Sequence, residues 1–144
     1  MANYIGFTRS NYFRVTDPEA FEKIINCVIT DGDSLELWAR TENGTTYYAF
    51  GAYSSICGLR HEAEDVDDDD EFEADAVYEA LSEVVAPDDA IIITEIGYEK
   101  LRYLTAYAVV ITRTEVEFVE LRSDALETAQ RMLRNPEYNP CMDY

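Results

Sequence analysis

The side chains in this chain whose type and spacing could do chemistry are carboxylates, and one stretch crowds them together. Residues 61–75, His-Glu-Ala-Glu-Asp-Val-Asp-Asp-Asp-Asp-Glu-Phe-Glu-Ala-Asp, hold ten acids and no base. Such a run could bind a divalent cation, supply an acid and a base, or present a negative surface. Asp65, Asp67 and Asp69 have the 1-3-5 spacing of a calcium loop. The sixth position is then Asp70 where the loop needs Gly, and the twelfth is Ala76 where it needs Glu. Starting at Asp67 puts Phe72 at six and Tyr78 at twelve, which fails as well. No metal site is expected.

Other chemistries lack their parts. His61 is the single histidine, beside the acidic run, so a Ser/His/Asp or Cys/His set would have to use it. Cys27, Cys57 and Cys141 are scattered and odd in number, without a CxxC or a Cys/His pair at ligand spacing. That argues against zinc and against a disulfide framework. The glycines are isolated, so no phosphate-cradling loop is expected, and no cofactor either. Tyr47, Tyr48, Phe50, Tyr53, Tyr103 and Tyr107 fall on expected strands, where aromatic residues ordinarily pack a core. Arg9 and Arg14, near Tyr4, Tyr12 and Phe13, could form an anion pocket, but in so acidic a chain internal carboxylate pairs are the expectation.

The net charge of −19 is unevenly placed. Residues 1–60 carry a net of −2, residues 61–75 a net of −10, and residues 76–144 a net of −7. Self-repulsion of this size argues against binding nucleic acid or an anionic membrane directly, and for a basic partner. A halophile's acidity is the competing explanation, and two lysines against nine arginines fits it loosely. Halophile acids, however, are spread over the surface, and the first sixty residues here are nearly neutral. The apolar runs are far shorter than the ~20 residues a membrane helix needs. The N-terminal residues lack the pattern of a signal peptide, so a cytoplasmic protein is expected.

The elements that must carry these residues can be read from pattern. Residues 11–16 suggest a first strand, and Thr16 with Glu19 a capped helix start with Pro18 in the first turn. Phe21, Ile24, Ile25 and Val28 form one helical face that should end near Thr30. Strands at 34–41 and 46–53 flank Asn43-Gly44, a strong hairpin signal, and 54–60 reads as loop. After the acidic run, Val77, Leu81, Val84 and Val85 mark a second helix. Residues 90–121 are the most apolar, β-branched part of the chain and read as three strands. The first of them, 90–96, is nearly continuous in the manner of a central strand. Ser123 caps a last helix to about Arg134. The expectation is one α+β domain over 1–144, with the acidic loop inserted at 61–75. A mainly antiparallel sheet of about six strands would carry three helices packed on one face, in the order β-α-β-β-α-β-β-β-α.

Two resemblances add to this reading. Arg9-Ser-Asn-Tyr-Phe-Arg-Val15 with Asp17, and Gly97-Tyr-Glu-Lys-Leu-Arg-Tyr-Leu-Thr-Ala-Tyr-Ala-Val109, resemble a family of small bacterial and mobile-element proteins of no assigned activity. That likeness implies an α+β fold and no catalytic residues. In size, acidity and lack of catalytic groups the chain is similar to the DNA-mimicking anti-restriction and anti-CRISPR inhibitors of phages and plasmids. The expected function is therefore non-enzymatic inhibition of a host defence complex through its basic, nucleic-acid-binding surface. Glu64, Asp65, Asp67, Asp68, Asp69, Asp70, Glu71, Phe72 and Glu73 would make the contact. Immunity to a basic nuclease toxin and a small-molecule-binding domain are the alternatives. The sequence leaves the oligomeric state open, a dimer included.

Overall fold

Alternation and turn chemistry build a six-stranded antiparallel sheet in the computed structural model, which describes residues 4–60, 73–101 and 103–140, Tyr103 by its backbone alone. In chain order the elements are β1 (Ile5–Ser10), α1 (Pro18–Cys27), β2 (Val28–Thr30), β3 (Glu36–Glu42), β4 (Thr45–Ala52) and β5 (Ile56–Leu59). They continue with α2 (Ala74–Val84), β6 (Ile91–Glu99), β7 (Tyr103–Ile111), β8 (Val116–Glu120) and α3 (Leu121–Leu133). The large sheet runs β3-β4-β1-β6-β7-β8, and β2 pairs with β5 in a separate two-stranded sheet. Among the described residues no helix is long and apolar enough to cross a membrane.

The β3–β4 hairpin closes as expected. Asn43 and Gly44 both take positive φ, 51° and 78°, the geometry of a two-residue turn that matches strand twist. The β6–β7 turn lies later than Gly97 suggested, because β6 continues to Glu99 and Lys100 takes the left-handed conformation, φ 53°.

The first strand is Ile5–Ser10, not 11–16. Its inward residues are Gly6, Thr8 and Ser10, while Ile5 and Phe7 face outward, so the usual alternation is inverted. Pairing with both β4 and β6 overrides that local pattern. Where β1 ends, the Asn11 amide continues the pairing: it donates to Ala90 O at 3.0 Å and accepts from Ile92 N at 2.8 Å. Phe13 and Val15 then make single bridges to Tyr48 and Val85.

The cap of α1 is Asp17, whose Oδ1 accepts from Glu19 N and Ala20 N, rather than Thr16, whose hydroxyl donates to Val84 O. The helix ends at Cys27 because the β-branched Val28, Ile29 and Thr30 pair with 56–59, a stretch whose composition read as loop. Helix α2 buries Val77, Tyr78, Leu81 and Val84, with Val85 just beyond its end, which is the expected face plus one tyrosine.

One core joins α1 and α2 to one face of the large sheet. Phe13, Phe21, Phe50, Leu81, Ile91, Val109 and Ile111 are fully or almost fully buried in it. Phe13 sits edge-on to Phe21 and Phe50, with centroids 5.4 and 6.0 Å apart, the preferred geometry of aromatic pairs. The expectation of three helices on that face needs correction at α3. It follows β8 without a linker, starts at Leu121 without a side-chain cap, and contributes no buried residue. Ser123 is not the cap; its hydroxyl donates to Glu120 Oε2 at 3.4 Å.

Leu81→Ala is expected to cost about 3 kcal/mol of unfolding free energy, because it removes a fully buried side chain from the α2 face of the core. Asp17→Ala should cost about 1 kcal/mol through the lost cap. Urea titration followed by circular dichroism measures both. An equal effect of the two would show that α2 is not the core helix.

Candidate functional site

Among the described residues, Glu95 is the one buried acid, a placement the charge pattern does not explain. Ile91, Ile93 and Glu95 alternate on the inward side of β6, so the strand that packs the core also carries a carboxylate into it, 7% exposed. A buried carboxylate needs hydrogen-bond donors. Tyr4 supplies one, its hydroxyl donating to Oε2 at 3.2 Å, and Tyr107, directly across on β7, supplies another.

The Tyr4 ring reaches this position by lying across the Gly6–Gly97 pair of β1 and β6. A Cβ at Gly97 would collide with the Tyr4 hydroxyl and ring, so glycine there is what admits the donor. Burial, and after it the charge of Glu95, raises the Tyr107 phenol well above its ordinary value and the Tyr78 phenol less far. Tyr4 is raised as well, chiefly by burial. These phenols stay protonated; Tyr4 and Tyr107 anchor the carboxylate, and Tyr78 hydrogen-bonds with Tyr107. Burial, then Asp31 and Glu95, also raises the Cys57 thiol, which favours its protonated form.

Beside this network a cleft of about 430 Å³ opens between the first turn of α2 and the β7–β8 margin. Tyr78, Tyr107 and Phe118 form its walls, with Tyr78 edge-on to Phe118 at 5.8 Å, and Asp75 and Glu120 stand at its rim. It lies at the end of the chain's acidic run, where Glu73 leads into α2. Asp75, Glu79 and Glu83 then continue along the exposed side of that helix. Their i, i+4, i+8 spacing sets one carboxylate about every 6 Å along the axis.

Of the contact residues singled out by charge, Glu64, Asp65, Asp67, Asp68, Asp69, Asp70, Glu71 and Phe72 lie outside the described residues; Glu73 is described and exposed. The arginines do pair internally in part. Arg14 meets Asp88 at 2.8 Å and Asp89 at 3.4 Å, and its guanidinium holds the Asp88 carboxyl below the ordinary carboxylate range. Arg9 stacks over Trp38 at 4.2 Å instead. Among the aromatics expected in the core, Phe50 is buried and Tyr48 packs against it, whereas Tyr53 is 69% exposed. No cluster of three or more His, Cys, Asp or Glu suited to a metal ion occurs among the described residues.

Sequence reasoning missed the Glu95 network. Its signal was present: an acid at inward parity in the most apolar strand, with a glycine two residues on. Compared with protein-family models, curated proteins and solved structures, the chain matches none.

The raised phenols set an alkaline limit on stability. A tyrosine held protonated when folded contributes stability that is complete below its ordinary value of 10.0 and is lost as pH rises through the folded value. Unfolding free energy should therefore fall above pH ~10. Phenolate absorbance of the buried tyrosines should appear with the loss of circular dichroism, not before it. Tyr107→Phe should lessen that dependence and cost on the order of 1 kcal/mol at neutral pH, as Glu95 loses a donor. Free titration of every tyrosine in the folded state would refute the network.

Proposed function

We propose that this protein acts by binding and not by chemistry, as an acidic inhibitor of a basic nucleic-acid-binding surface. Host defence machinery of the CRISPR or restriction type is the leading target. One observation carries the reading. The run of ten acids without a base at 61–75 ends at Asp75 in the first turn of α2, and Glu79 and Glu83 extend it as an exposed stripe along that helix. Duplex DNA carries one charge per about 1.7 Å of axis, and a protein that holds it does so with Lys and Arg aimed at phosphates. A carboxylate array on a rigid helix, anchored by Val77, Tyr78, Leu81 and Val84 on its other side, suits those positions. Steering between opposite charges makes such an encounter fast and salt-sensitive.

On this reading Glu64, Asp65, Asp67–Asp70, Glu71 and Glu73 contact the basic channel, and Phe72 adds apolar area. Partner binding excludes nucleic acid by occupancy. A second reading has one observation in its favour. The Tyr78–Tyr107–Phe118 cleft is within the size range of small-molecule sites and has polar groups at its rim.

The test is capture of partners from host lysate at low and high salt. Wild type is compared with a variant carrying Asp67→Asn, Asp68→Asn, Asp69→Asn and Asp70→Asn, and with Glu79→Lys/Glu83→Lys. The expected result is a nucleic-acid-binding complex retained at low salt, released at high salt, and weakened at least about tenfold in either variant. Equal retention by the variants would sink the mimic and place the interface elsewhere. Ligand-dependent protection of the tyrosine cleft, with no captured partner, would favour the second reading.

A further inference from the structure

On β1 and β6 one face is covered by other described parts of the chain and the other is not. On the other face Ile5, Phe7, Ile92, Ile96, Tyr98, Leu104 and Val119 stand 41–58% exposed. Cross-strand register brings them into one field. Ile5 is opposite Tyr98, Phe7 opposite Ile96, and Tyr98 opposite Leu104, while Ala106, Ala108 and Val110 fill the β7 positions between. Together the seven large side chains leave roughly 600 Å² of apolar surface open, at the top of what a free monomer ordinarily shows.

We infer that this face is the interface of a homodimer, in which the sheets of two copies pack face to face. Two observations single out a second copy as the occupant. The first is area. About 800 Å² per partner makes a standard stable interface, and the field approaches that before its polar margin is added. The second is composition. Across the central strands β1, β6 and β7 the outward residues are Ile, Phe, Tyr, Leu, Val and Ala, with only Arg9 charged and Thr94 polar. Such depletion of charge at the centre marks permanent homodimers more than transient contacts.

The sheet has three strands on either side of the β1–β6 boundary. A twofold axis along the strands at that boundary lays the β3–β4 margin of one copy over the β8 margin of the other. Asp75, Glu79 and Glu83 stand on the exposed side of α2, the layer turned away from the interface. Two sheets packed in this way lie about 10 Å apart and cover the outward Ile and Phe of the inverted strand.

Sedimentation equilibrium of the full chain at micromolar concentrations tests the inference. Wild type should run at twice the 16.5 kDa chain mass, in high salt as in low, since the buried field is apolar. Ile96→Glu, and separately Phe7→Glu on the neighbouring strand, should weaken dimerisation at least about tenfold, with circular dichroism unchanged because both side chains are exposed in the monomer. Glu79→Lys, on the opposite layer, should leave the dimer intact. A wild type that is monomeric at every concentration would overturn the inference, as would a dimer indifferent to both substitutions. Salt-resistance of the dimer separates its failure from that of the salt-sensitive partner binding proposed above.

Discussion

The pairing of β1 between β4 and β6 is the constraint on which the rest of the molecule depends. The β3–β4 hairpin and the β6–β7–β8 meander are each local, closed by short turns. Only β1 hydrogen-bonds to both, and it comes from the far N-terminal end of the described chain. Its inward residues are small because the space behind them is occupied. Thr8 donates to Ser54 O at 2.8 Å, Ser10 accepts from Phe50 N at 2.9 Å, and Gly6 lies under the Tyr4 ring. A larger apolar residue at any of the three would displace those partners. The join therefore needs a strand whose inner side is polar and slim.

That requirement divides the sheet into two ends of different character. At the Ile91–Ile93 end of β6 the inward side is apolar and α1 and α2 press on it. At the Glu95–Gly97 end the inward side is a carboxylate held by phenols, and the apolar residues turn outward. Burying Glu95 is tolerable because donors meet it; burying Ile96 and Phe7 would need a surface this layer of the chain does not supply. The same alternation that places a polar network inside thus leaves a hydrophobic field outside.

Charge is segregated on the same plan. Glu73, Asp75, Glu79 and Glu83 stand exposed at and along α2, on the helix layer, while the outward sheet face is close to neutral at its centre. A molecule arranged this way has two surfaces with opposite solvent responses. Salt screens one and leaves the other unaffected. The core lies between them, so either surface can be altered without disturbing Phe13, Phe21 and Phe50.

The sequence by itself determined the class of fold, the hairpin, the second helix and the place of the charge, because each rests on a short-range rule. Asn43-Gly44 prefers positive φ wherever it occurs, Val77, Leu81 and Val84 share a face by helical period, and fifteen residues with ten acids need no tertiary context to be counted. Strand β1 was not legible, since its Gly6, Thr8 and Ser10 look like loop until β4 and β6 flank them. The β2–β5 pair was hidden in the same way: Val28 continued a helical face, and only Gly58 across the ladder drew its neighbour Ile29 into a strand. The Glu95 site depended on three residues, 4, 95 and 107, whose approach no spacing announces. Nor did the continuous apolar run of 90–96 say which of its two sides α1 and α2 would cover. Tertiary structure decided these because they are choices among long-range partners, where the energy of a contact lies in the register of strands far apart in the chain.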